Sequence, residues 1–190
     1  ILTENRYGLS DPIDTDMDND FTLYTKTKLF PESITNKAAY IIARNGMHSG
    51  IAVFKDPEDK IVVQFSYWFY EPSDVDKINP IYKDVAVLLD DTLISEFNHY
   101  TMICNDNKKT IDCYINDELV GLIYYLDLDK ASYKNTFYWF GCGSMMCTDE
   151  YRQIGDFTFD LAFLLNKKIL NLYFQHQLDY QLDRKIAVNL

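Results

Sequence analysis

The chain has 190 residues, 47% of them hydrophobic and 15% aromatic, with 29 acidic against 18 basic side chains for a net charge of −11. That length suits one well-buried domain, the hydrophobic content excludes general disorder, and no apolar run reaches the roughly 18 residues of a membrane-spanning helix. A surface this acidic repels phosphate backbones, which argues against nucleic acid as a partner and is compatible with cations or neutral polyols, although the same charge also serves as a solubilising surface.

Residues 1–19 form a polar lead-in, and the chain begins at Ile1 without a basic-then-apolar leader, so it reads as an excerpt of a longer protein or a processed product. Phe21–Lys28 alternates like a first strand. Further strands are expected at Ala39–Arg44, Gly50–Lys55, Lys60–Tyr70, Val85–Asp90, His99–Cys104, Thr110–Asn116, Leu119–Tyr125, Phe137–Gly141 and Asp156–Leu165. Turn formers separate them at Asn45-Gly46, Asp56-Pro57-Glu58-Asp59, Glu71-Pro72-Ser73-Asp74 and Asn135. Asn79–Lys83 and Leu126–Lys134 are looser connections. A short helix is expected over Asn166–Gln177, where Ile169, Leu172 and Tyr173 share a face. Many short strands and almost no helical period imply an all-β antiparallel sandwich in one domain over residues 20–190.

The segment Asn98–Gly121 is the most informative. Tyr100, Met102 and Cys104 alternate with polar or outward residues, as do Ile111, Cys113 and Ile115, around a reversal at Asn105–Lys109, which describes a hairpin with one buried face. Cys104 and Cys113 both fall on the inward set. A disulfide between them requires the turn to set them opposite each other, and buried free thiols are the commoner outcome. None of the four cysteines sits at zinc-ligand spacing. No Asn-x-Ser/Thr acceptor occurs.

The hairpin and the following Asn116-Asp117-Glu118-Leu119-Val120-Gly121 resemble the laminin G-like, concanavalin A-like jelly-roll superfamily, in which this place carries N-G-x-x-V-G. Three more segments agree in order and spacing with that family: Asp20–Leu23 with its opening strand, Ile41–Gly46 followed by Gly50–Val53, and Tyr138–Ser144 followed by Ile154–Lys167. Asp117 where Gly is usual, and Ala162 where an acidic residue often follows the Asp, are departures. The resemblance implies a jelly-roll sandwich of two antiparallel sheets, a setting outside the cell or on a cell or virion surface, and a structural calcium held in part by Asp160.

Catalytic relatives that cut β-glucans look recognisable by Glu-x-Asp-x-(x)-Glu, because one carboxylate attacks the anomeric carbon while the other protonates the leaving oxygen. The chain's glutamates, Glu4, Glu32, Glu58, Glu71, Glu96, Glu118 and Glu150, never come that close. Asp156 and Asp160 could share a strand face, yet they read as polar positions alternating with Phe157, Phe159 and Leu161. Asp14–Asp20 imitates the start of an EF-hand loop but has Asn19 where Gly is needed and Thr25 where Glu should close the shell, so it reads as a solvated acidic linker.

Sugar binding needs rings that stack on pyranose faces and amides or carboxylates that meet hydroxyls. Alternation splits Lys60–Tyr70 into Val63, Phe65, Tyr67 and Phe69 on one face and Gln64, Ser66, Trp68 and Tyr70 on the other. The mixed face suits the concave groove in which lectin-like relatives take glycans, with Asp112, Tyr114 and Trp139 joining Gln64, Trp68 and Tyr70. The competing reading makes Trp68 and Trp139 core residues. The expectation is therefore a non-catalytic carbohydrate-binding or adhesion module whose partner is a glycan or glycosylated surface. The alternatives are a protein-interaction domain without a sugar site and, third, a hydrolase or lyase with atypical carboxylates.

Overall fold

The computed structural model describes residues 8–9, 21–44, 49–131, 138–143, 155–157 and 163–166. Its strands are β1 (Gly8–Leu9), β2 (Phe21–Leu29), β3 (Ala39–Arg44), β4 (Gly50–Lys55), β5 (Ile61–Tyr70), β6 (Ile81–Leu88), β7 (Phe97–Asn105), β8 (Thr110–Ile115), β9 (Glu118–Tyr124), β10 (Asp129–Lys130), β11 (Tyr138–Gly143), β12 (Gly155–Phe157) and β13 (Phe163–Asn166), with a one-turn helix α1 (Asp91–Ile94). One sheet has seven strands in the order β1-β11-β3-β4-β5-β10, with β6 also on β5. The other has six in the order β12-β2-β7-β8-β9, with β13 also on β2. Every pairing among the described residues is antiparallel. This is the antiparallel β-sandwich expected from the alternation, in the jelly-roll form that the resemblance implies.

Several boundaries differ from expectation. β6 begins at Ile81, inside the connection expected over Asn79–Lys83, because Ile81 and Lys83 continue the inward set of Val85 and Val87 opposite Phe69 and Tyr67 on β5. The helix α1 follows the strand because Asp90 caps it: its carboxylate accepts from the Thr92 and Leu93 N–H groups at 2.9 and 3.0 Å. β10 lies in the expected loop Leu126–Lys134, and β1 lies in the lead-in. The single strand expected over Asp156–Leu165 is resolved into β12 and β13. Phe157 faces Thr27 and Phe163 faces Tyr24, so six steps along this chain match three along β2, and one uninterrupted ladder is excluded. Asn166, the first residue of the expected C-terminal helix, ends β13, and Lys167–Gln177 lie outside the described residues.

The core lies between the sheets. Phe21, Leu23 and Leu29 of β2, Tyr100, Met102 and Cys104 of β7, and Ile111, Cys113 and Ile115 of β8 meet Val63, Phe65, Tyr67 and Phe69 of β5. Rings run across the interface: Phe21 stacks on Tyr67 at 5.5 Å, Tyr67 meets Phe69 at 5.3 Å, and Phe69 stacks on Tyr125 at 4.9 Å between centroids. Cys104 faces Ile111 and Cys113 faces Met102, so the two inward thiols are out of register and remain free. Burial pushes the Cys113 thiol up to about 12, with Asp112 adding to the effect.

A buried polar knot closes one end of the core. The Tyr125 hydroxyl donates to Asp106 Oδ1 at 2.9 Å and lies 3.2 Å from Cys104 Sγ. Lys130 Nζ, on a side chain only 6% exposed, lies 3.3 Å from Asp106 Oδ1, 3.5 Å from Cys104 Sγ and 5.9 Å from the centroid of the Phe21 ring. Lys109 Nζ adds a second cation 3.3 Å from Asp106.

The β8–β9 turn has φ of 50° at Asn116 and 67° at Asp117, the two left-handed positions that a tight hairpin requires. Asn116 is more than a turn former. Its Oδ1 accepts from the His99 N–H at 2.9 Å and its Nδ2 donates to Asn98 Oδ1 at 2.7 Å, while Asn98 Nδ2 donates to the Leu93 and Glu96 carbonyls, which ties the turn to α1.

Two expectations follow. Burial raises the Asp106 carboxyl, but the Tyr125 hydrogen bond and the Lys130 and Lys109 ammoniums outweigh it and hold it below the usual range. A depressed folded value means stability that is present above the unfolded carboxylate range and lost as pH falls below about 4. Asp106→Asn is expected to flatten that acid limb in urea midpoints and to cost about 1–3 kcal/mol at neutral pH, since Lys130 keeps its burial and loses a charged partner. Asp117→Gly is expected to raise stability by about 0.5–1 kcal/mol, read as a higher melting temperature, by relieving a left-handed non-glycine.

Candidate functional site on the six-stranded sheet

Alternation sends every second residue of β2, β7, β8 and β9 away from the core, and register aligns them in rows. One row runs Tyr24, Thr101, Tyr114, Leu119. The next runs Thr22, Ile103, Asp112, Leu122, and the third Asn105, Thr110, Tyr124. Cys113 faces Gly121 while Tyr114 faces Leu119, so Val120 is the extra residue of a bulge: it packs on the core and leaves Leu119 outside, half-exposed. The Tyr24 ring meets the His99 ring edge-on at 5.4 Å.

The polar groups on this face are incompletely satisfied. Among the described residues neither Asp112 Oδ1 nor Thr110 Oγ1, both buried, has a hydrogen-bond partner, and they lie two positions apart on the same side of β8. A buried acceptor without a protein donor costs the protein its desolvation unless water, an ion or a ligand supplies the bond. Beside them, burial raises the Tyr114 phenol and the Asp112 and Cys113 charges raise it further; burial and Asp117 do the same to Tyr24. Tyr124, in register with Thr110, is 53% exposed and offers a free ring.

The residues selected from sequence divide between two surfaces. Asp112 and Tyr114 lie on this face. Gln64, Trp68 and Tyr70 lie on β5 of the other sheet, so the six do not form the single groove expected for them. Gln64 Nε2 donates to Asp84 Oδ2 at 2.8 Å, Ser66 is buried, and Trp68 packs against the core. Tyr70, 7% exposed, belongs to the core cluster, with the Lys77 ammonium 6.0 Å from its ring centroid and β10 paired beside it, so it lacks an open ring face for stacking. Trp139 sits on β11, opposite Ala43 of β3 and Leu9 of β1, with β3 and β4 between it and β5. Thr110 and Tyr124 were missed. The alternation that selected Asp112 and Tyr114 also contains Thr110, and only the register of β9 adds Tyr124.

Other candidates are weaker. Asp160, which the resemblance assigns to calcium, lies outside the described residues, as does Asp14–Asp20; Asp156 takes the register position opposite Lys28. Among the described residues no three His, Cys, Asp or Glu side chains cluster as a metal site. A cleft of about 520 Å³ is lined by Lys55, Asp59, Lys60 and Asp91 over Ile61 and Leu89. Its lysines are already engaged, Lys55 with Asp59 at 3.0 Å and Lys60 with Glu58 at 2.7 Å. Among the described residues no helix is long and apolar enough to cross a membrane.

If Asp112 and Thr110 carry an unmet cost, removing it should stabilise the free protein. Asp112→Leu and Thr110→Val are each expected to raise the unfolding free energy by about 1 kcal/mol in denaturant titrations. A loss of that size in either would show that the oxygen is already satisfied.

No protein-family model matches the chain, and no curated protein matches it. Among solved structures it is similar to a botulinum neurotoxin type C chain whose cell entry depends on two ganglioside molecules, at 15% identity and a TM-score of 0.45 over 85% of this chain. It is similar also to the binding domain of botulinum neurotoxin DC, solved with rat synaptotagmin II, at 14% identity and a TM-score of 0.48 over 90% of this chain. A native heptameric SAP-like pentraxin from Limulus polyphemus gives 9% identity and a TM-score of 0.43 over 82%. The chain spans 36% and 40% of the two neurotoxin chains and 74% of the pentraxin.

Proposed function

We propose that the chain is a non-catalytic, lectin-like module of the laminin G-like type, part of a larger extracellular or surface protein, that takes a glycan on the outer face of the six-stranded sheet. The observation that carries this reading is the pair of buried, unpartnered oxygens on Asp112 and Thr110 beside the Tyr114 and Tyr124 rings. Hydroxyls of a sugar supply donors to such oxygens, and the rings supply a stacking surface. Contacts of this kind are individually weak, so useful affinity comes from several copies or several sugar units. The face of Gln64 and Trp68 is less suited, since Gln64 is engaged with Asp84 and Trp68 packs on the core.

A second reading, docking to another protein, is favoured by the β5–β6 loop, where Val75 and Ile78 are the most exposed aliphatic side chains among the described residues.

A glycan array with the multimerised domain separates the two. Binding should fall about tenfold or more in Tyr114→Ala and Asp112→Asn and stay within about twofold in Trp68→Ala. A blank array at high avidity would sink the lectin reading. A signal lost in Trp68→Ala and kept in Tyr114→Ala would move the site to the seven-stranded sheet.

A further inference from the structure

The outer face of the six-stranded sheet contains an acidic acceptor that no donor among the described residues meets. Asp112 Oδ1 is buried without a donor, with Ile103 of β7 and Leu122 of β9 as its register neighbours. Thr110, 7% exposed, places a second unpartnered oxygen two positions along the same strand face, about 7 Å away. A neutral hydroxyl would satisfy either oxygen. A carboxylate between aliphatic neighbours gains more from a cationic donor, because a charge-assisted hydrogen bond is roughly twice as strong as a neutral one and strengthens as water is excluded.

The rest of the molecule favours the same sign. A net charge of −11 draws cations toward the surface and repels carboxylated or sulfated sugars. Asp112 is only partly buried, so its carboxylate is reached from solvent without moving the strand.

Resting on the glycan-binding reading above, we infer that the site selects amino sugars with a free ammonium group. The ammonium donates to Asp112, a ring hydroxyl of the same or the next residue meets Thr110, and the apolar face of the pyranose lies against Tyr124, the exposed ring in register with Thr110.

Three β-1,4-linked hexasaccharides that differ only at C2 test this: glucosamine (ammonium), N-acetylglucosamine (acetamide) and glucose (hydroxyl), titrated calorimetrically in mildly acidic, low-salt buffer. The glucosamine oligomer should bind about tenfold or more tighter than the other two, and Asp112→Asn should remove that advantage, weakening the glucosamine oligomer about tenfold more than it weakens the neutral ones. Asp84→Asn, on the other sheet, changes net charge equally and should leave the preference intact. A similar loss in Asp84→Asn would mean diffuse attraction and overturn the inference. Equal binding of all three oligomers would overturn it while the lectin reading stands, and no binding by any would overturn it too, leaving the lectin reading to the glycan array. Thr110→Val, which adds no charge and keeps the shape, should weaken all three alike; an unchanged profile would remove Thr110 from the site.

Discussion

The line of rings Phe21, Tyr67, Phe69 and Tyr125 is the interaction on which the rest of the molecule depends. Two rings come from one sheet and two from the other sheet and its exit, so the contact fixes the faces that the sheets turn toward each other. In strands the period is two, and once one side chain is committed inward every neighbour is committed as well. A shift by one residue would bury Gln64 and Trp68 and expose Phe65 and Tyr67. The outward placement of Asp112 and Tyr114 is thus a consequence of Ile111, Cys113 and Ile115 being inward, and the site exists because the core is in register.

The same register produces a weakness that the sequence repairs locally. A sandwich leaves edges, and β6 and β9 are edge strands of opposite sheets that lie beside each other. Gly121 lets them approach, since a Cβ there would come within 2.5 Å of Val85 Cγ1, and the Lys83 ammonium donates to the Tyr124 carbonyl at 2.8 Å across the gap. An inward-pointing lysine at an edge discourages pairing with another chain. Gly121 and Asn116 of the Asn-Asp-Glu-Leu-Val-Gly segment therefore have physical duties: Asn116 bonds the turn to Asn98, and Gly121 admits Val85. The intervening Val120 is the bulge residue that packs inward.

How far the sequence reveals this molecule varies with the type of signal. Strands with strong alternation were legible to within a residue or two: Ala39–Arg44 and Gly50–Lys55 match at both ends. Elements defined by distant partners were not. The two-residue strands β1 and β10 carry no pattern of their own and exist only because Trp139 and Phe140, or Phe69 and Tyr70, have a free edge. The division of the last strand was equally hidden, because Asp156–Leu165 alternates well and its interruption appears only against β2. For the site, alternation separated inward from outward residues correctly on β8, but it has no means of telling which sheet a strand joins. Asp112 and Trp68 were grouped on that account, although they lie on opposite sides of the sandwich.

The two outer faces then differ for a reason that composition does not show. On the seven-stranded sheet the outward residues of β3, β4 and β5 are small or covered: Ala43, Ala52 and Ser66 are nearly inaccessible, and Tyr40 is buried with them. Polar groups there are engaged: Ser66 Oγ donates to the Gly50 carbonyl at 3.5 Å and Gln64 Nε2 to Asp84 Oδ2 at 2.8 Å. On the six-stranded sheet the outward residues are larger and less covered, and among the described residues no donor meets the Asp112 and Thr110 oxygens. Trp68 is the more conspicuous residue in the sequence, yet a large ring already packed on the core has little area left for a ligand. An acceptor held in reserve beside an exposed ring has more to gain from one, so the physical case for binding rests on Asp112, Thr110 and Tyr124.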